Sequence, residues 1–193
     1  IAISYPERVA TLTSIMSTGY AQDPELPGRS AELATELAKL GIKYGLLGSE
    51  KSTIKMFVAS QQLLMGDPPY DLDIQVISEQ VLYNLQYRRG YNPRASQQHH
   101  AATAASGSRY EDLAKLEVPA LIIHGTSDPF IPIAHGEKCA QSIPDAQTLW
   151  VEGMGHDMPR VFVDAILNEM LDHFQRAECR FQGRSDRTIS LRP

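Results

Sequence analysis

Ala120-Leu121-Ile122-Ile123-His124-Gly125-Thr126-Ser127-Asp128-Pro129 decides how this chain folds. A short, continuously apolar run that ends in glycine and turn residues is the pattern of a strand buried on both faces of a parallel sheet. Asp128 follows just past its carboxyl end, where ligands and catalytic groups collect in open parallel sheets. A carboxylate there can accept the Nδ1–H of a histidine, fix its tautomer and stabilise the imidazolium. Taken alone, Asp128-Pro129 serves equally well as a turn cap.

The downstream sequence supplies the histidine. Pro132 to Ser142 reads as a short helix and Gln147 to Val151 as a strand, and Glu152-Gly153-Met154-Gly155-His156-Asp157-Met158-Pro159 follows. Gly153 and Gly155 allow the backbone to turn the His156 side chain over the sheet edge. One strand–helix–strand unit therefore brings Asp128 and His156 to a shared rim as candidate acid and base. Pro159 to Phe174 then places Phe162, Ile166, Met170 and Phe174 at steps of four, one apolar helix face.

Upstream, Ile1 to Tyr5 reads as the last turns of a helix stopped by Pro6. Val9 to Met16 reads as a strand, closed by Ser17-Thr18-Gly19. The pattern then turns helical: Leu33, Leu37 and Leu40; Ile54, Phe57, Val58, Gln61, Leu64 and Met65; Ile74, Ile77, Val81, Leu82 and Leu85 each mark an apolar face. Breaks fall at Gly45 to Gly48, at Gly66-Asp67-Pro68-Pro69 and at Gly90-Tyr91-Asn92-Pro93, and a fourth, alanine-rich helix covers Arg94 to Ser106. The expected organisation is 1–20 as the start of an α/β core, 21–110 as a helical cap, 111–175 as the rest of the core, and 176–193 as a polar, arginine-rich, disordered tail.

The composition sets outer limits. A chain of 193 residues with 42% hydrophobic content can bury an ordinary core, and a net charge of -5 argues against nucleic acid or anionic membrane as a constitutive partner. No apolar run is long enough to span a bilayer. Cys139 and Cys179 stand far apart without metal spacing, so two reduced thiols in a cytoplasmic protein are expected. His99-His100 reads as a polar helix face and His124 as a strand-end histidine; neither pair nor the grouping of His124, Asp128 and His135 converges well enough to imply a metal, and no cofactor is expected.

Asp followed by Gly-x-Gly-His, one strand–helix–strand unit apart, resembles the closing part of an α/β-hydrolase. Ile1-Ala2-Ile3-Ser4-Tyr5-Pro6-Glu7-Arg8-Val9 resembles the helix that follows the nucleophile in that family. Gln86-Tyr87-Arg88-Arg89-Gly90-Tyr91-Asn92-Pro93, Gln97-Gln98 and Arg109-Tyr110-Glu111-Asp112-Leu113 resemble the return from cap to core in bacterial esterases of the anthracycline methylesterase type. The resemblance implies the C-terminal portion of an α/β-hydrolase, about three parallel strands with an inserted helical cap, acting on a small hydrophobic ester. Its nucleophilic serine would lie on an elbow shortly before Ile1, together with the oxyanion donors.

No G-x-S-x-G occurs. Gly125-Thr126-Ser127-Asp128-Pro129 and Gly183-Arg184-Ser185-Asp186-Arg187 lack the closing glycine, and Ser127 is not expected to substitute. The chain alone is therefore expected to be inactive. Two other readings stand beside this one: a relative with an aspartate nucleophile, dehalogenase- or epoxide-hydrolase-like, and a non-catalytic interaction module. A sheet this narrow with an open edge is also expected to self-associate or to need a missing N-terminal portion.

Overall fold

The computed structural model describes residues 1–45, 48–66, 71–88 and 90–185, with side chains described through Glu178. A helical turn closed by Tyr5 N–H to Ile1 O at 2.7 Å and a 3₁₀ turn at Pro6–Arg8 lead into β1, Leu12–Ile15. The strand is shorter than the Val9 to Met16 run: the 3₁₀ turn and a bend at Ala10 delay its start, and Met16, with a left-handed φ of 46°, ends the extended backbone. Between β1 and the next strand come α1 (Ala31–Leu40), α2 (Glu50–Leu64), α3 (Ile74–Tyr87), α4 (Pro93–Ala105) and α5 (Tyr110–Leu113). Then β2 (Ala120–Gly125), α6 (Ile133–Ser142), β3 (Gln147–Val151) and α7 (Arg160–Ser185) complete the order.

The three strands form one parallel sheet in the order β1-β2-β3, with Leu12 opposite Ala120 and Leu121 opposite Gln147. Central placement explains why β2 has no polar face: every one of its residues is buried. Its side chains alternate between two layers. Ala120 and Ile122 pack with Leu113, Cys139 and Ile143, whereas Leu121 and Ile123 pack with Val151, Met154 and Ile166. Helix α6 thus covers one face and α7 the other, and parity along β2 decides which layer each residue joins.

Polar caps set the helix starts. Ser30, Ser49, Asp73 and Asn92 each accept a backbone N–H in the first turn of α1, α2, α3 and α4, which satisfies donors that lack an intrahelical partner. Helices α2 and α3 pack together, while α4 buries no residue. The loop from β1 into the cap is tied to the core: Lys138 Nζ reaches Asp23 at 2.7 Å and Glu25 at 2.9 Å, and Arg109 donates to Thr18 O at 3.2 Å. The Lys138 hydrogen bond draws the Asp23 carboxyl below the ordinary range.

Two sequence expectations need correction or restriction. The tail expected from 176 is helical to Ser185, because Ala177 is buried against the core and no proline or glycine interrupts the helix before Gly183. Residues 186–193 lie outside the described residues, as do Leu46, Leu47, Arg89 and the Asp67-Pro68-Pro69 part of one expected break.

Candidate active site

Asp128 and His156 meet on the carboxyl rim of the sheet. From the end of β2, a turn closed by Asp128 N–H to Gly125 O at 3.4 Å brings the carboxylate back under the loop that follows. Phe130 N–H and Ile131 N–H both donate to Oδ1 at 2.8 Å. The other oxygen, Oδ2, accepts Nδ1–H of His156 at 2.8 Å. With that proton engaged, a neutral His156 keeps its lone pair on Nε2. The carboxylate is shut off from solvent and the imidazole is 25% exposed, the arrangement of a buried acid holding an accessible base.

Burial alone would raise the Asp128 pKa. Hydrogen bonds from His124, His156 and the Ile131 backbone outweigh it and hold the carboxyl at about 2, against an ordinary 3.8. A depressed native pKa stabilises the fold above the unfolded value and ceases to do so as pH falls through the native one. Asp128 is therefore expected to contribute about 2 kcal/mol that disappears between roughly pH 4 and pH 2. In denaturant melts at both ends of that window, the stability gap between the wild type and Asp128→Asn should shrink by this amount; a gap that does not change with pH would contradict the geometry.

Three backbones converge to place the histidine. Ser127 N–H donates to Met154 O at 3.1 Å and Gly153 N–H to Thr126 Oγ1 at 2.9 Å, which fastens the histidine loop to the acid loop. The cap enters here too: His156 N–H donates to Leu64 O at 2.7 Å, and Gly66 forms an isolated antiparallel bridge with Met154. Such contact requires missing side chains. A Cβ on Gly155 would overlap Leu64 O, and one on Gly125 would overlap Met154 O. The Phe130 ring lies 4.8 Å from that of His156, and Arg29, at the start of the cap, stacks over Phe130 at 5.2 Å.

Asp128 and His156, expected from the sequence as acid and base, are in direct contact. Phe130, Arg29 and the Leu64 carbonyl carry no such signal in the sequence, because their contacts depend on loop and cap geometry. Ser127 packs against Gly66, and among the described residues no hydroxyl or thiol hydrogen-bonds to His156 Nε2. His135 turns away to Thr18 Oγ1 at 2.9 Å and Pro27 O at 3.0 Å. No group of three or more histidine, cysteine or acidic residues gathers as a metal site among the described residues, and none of their helices is long and apolar enough to cross a membrane.

A parallel sheet covered by helices on both faces, with an acid and a histidine after successive strands, defines an α/β-hydrolase core. The chain has the α/β-hydrolase fold, and its sequence is similar to that of an anthracycline methylesterase. A family model described as TAP-like protein matches residues 90–178. Rhodomycin D methylesterase DauP of Streptomyces sp. (strain C5) is 23% identical over 198 residues, covering 92% of this chain and 62% of its own. BpoC of Mycobacterium tuberculosis H37Rv superposes with a TM-score of 0.62 at 15% identity, over 91% of this chain and 61% of that one. MGS-M2, an α/β-hydrolase enzyme from a Medee basin deep-sea metagenome library, gives 0.58 at 16% identity, over 90% and 59%. The chain thus spans about three fifths of the length of these relatives.

Proposed function

We propose that this chain carries the acid and base of a carboxylic-ester hydrolase whose nucleophilic serine and oxyanion donors are supplied by polypeptide outside it. The 2.8 Å bond from His156 Nδ1 to Asp128 Oδ2 on the carboxyl rim carries the reading. In the complete site His156 Nε2 takes the serine hydroxyl proton as Oγ attacks the ester carbonyl. The tetrahedral intermediate collapses, and the departing alkoxide receives that proton from His156. A water deprotonated by His156 then releases the acid and restores the serine. Asp128 holds the tautomer and balances the imidazolium throughout.

The substrate in this reading is a small, hydrophobic ester, bound beneath the helical cap without nucleic acid or membrane, in the cytoplasm. Similarity to a methylesterase supports the ester class. The test extends the chain by the coding sequence that precedes it and assays short-chain p-nitrophenyl esters beside haloalkanes and epoxides. A Gly-x-Ser-x-Gly elbow and ester turnover are expected of the extended polypeptide, with no turnover by the present chain. A Gly-Asp nucleophile with dehalogenase or epoxide-hydrolase activity would overturn the ester assignment, and an extended chain inert to all three would favour an interaction module.

A further inference from the structure

We propose that His124 is a positioning residue for the acid: it holds the Asp128 carboxylate and the loop behind it so that Oδ2 stays aimed at His156. The inference rests on the reading of Asp128 and His156 as acid and base. His124 is fully buried at the end of β2, where a hydrocarbon would pack without needing a partner. Its parity along the strand sends it to the α6 layer, and Gly136 of that helix makes room: a Cβ there would come within 2.6 Å of Nδ1.

The two ring nitrogens have opposite surroundings. Nε2 lies 2.8 Å from Ile131 O and 3.4 Å from Asp128 Oδ2, whereas Nδ1 has no hydrogen-bond partner among the described residues. A proton on Nδ1 would be a buried donor without an acceptor among the described residues, an unfavourable arrangement. The hydrogen-bond network therefore assigns the proton to Nε2, which donates it to Ile131 O and turns the positive edge of the ring toward Oδ2.

This donor closes a small cycle. Ile131 gives its N–H to Asp128 Oδ1 at 2.8 Å and receives His124 on its carbonyl, so one residue of the acid loop is fixed at both ends. Oδ1 then accepts from Phe130 and Ile131 N–H, while Oδ2 accepts from His156 and has His124 Nε2 close by at 3.4 Å. Rotating the carboxylate away from His156 would break contacts on both oxygens. Among the described residues, His124 and His156 are the titratable groups within this reach of Asp128.

The experiment follows the Asp128 carboxyl carbon by NMR through acid titration in the wild type, His124→Phe, His124→Gln and His156→Phe. The wild-type midpoint is expected near 2. His124→Phe should raise it by roughly one unit, and His124→Gln, whose amide N–H can reach the same acceptors, should restore most of the difference. A midpoint unmoved in His124→Phe but raised in His156→Phe would overturn the role of His124 and leave the acid–base pair standing. A wild-type midpoint in the ordinary carboxylate range would instead remove the pair itself. Should His124→Phe not fold, the nitrogen-15 shifts of wild-type His124 decide, read at a pH where its ring is neutral: a protonated Nε2 and bare Nδ1 support the proposal, and a protonated Nδ1 overturns it.

Discussion

Asp128→Asn is expected to lower kcat/KM for ester hydrolysis by about 10⁴-fold in a polypeptide extended to include the proposed serine, a smaller loss than the roughly 10⁶-fold expected of His156→Ala. The size follows from the way the carboxylate is held. Two backbone N–H groups, from Phe130 and Ile131, fix Oδ1 at 2.8 Å, so the asparagine carbonyl must take that position. Its amide nitrogen is then turned toward His156 Nδ1, where it donates instead of accepting. A neutral imidazole that accepts at Nδ1 carries its proton on Nε2, and the lone pair that should receive the serine proton is gone. The side chain keeps its shape while the base takes the wrong tautomer. Steady-state kinetics would show kcat falling with KM little changed; a variant that retains a tenth of wild-type turnover would mean that Asp128 does not orient the base.

Gly155→Ala should destabilise the chain by about 3 kcal/mol and lower Tm by roughly 10 °C. The added methyl meets the backbone of Leu64, Met65 and Gly66, which cannot swing aside as the tip of a flexible side chain would. Either the end of α2 or the histidine loop must move, and the bond from His156 N–H to Leu64 O stretches or breaks. Gly28→Ala is the control, since among the described residues no atom beyond its chain neighbours lies within 4 Å of a Cβ at that position. Calorimetry of the two variants should separate them clearly. Equal melting temperatures would show that cap and histidine loop are not in backbone contact.

Seen from the sequence, the legible parts are those governed by local pattern. A strand with neighbours on both sides and helices on both faces has no reason to alternate, so the apolar run of β2 declared its central position. The apolar step of four through Phe162, Ile166 and Met170 marked the face of α7 that packs on the sheet. Asp128 and His156 were legible because each directly follows a strand, and parallel strands deliver their carboxyl ends to one rim.

Contacts between distant segments left no such pattern. Nothing near Leu64 signals that its carbonyl receives the His156 N–H, a contact created by the fold of the cap. His124 lay within the stretch that decided the fold, and its placement four residues before Asp128 was a usable signal. The role nevertheless depends on Gly136, on another element, which leaves space for the ring. The charged composition after Arg176 hid a helix continuation that burial of Ala177 supports.

The central claim is that Asp128 fixes His156 as a base with its lone pair on Nε2. Nitrogen-15 NMR of the selectively labelled chain, at a pH where the His156 ring is neutral, tests it directly, without any need for the nucleophile. The account predicts a protonated Nδ1 whose hydrogen resonates far downfield, a bare Nε2, and loss of that resonance in Asp128→Ala. A His156 protonated on Nε2, or one whose spectrum is indifferent to residue 128, would contradict it.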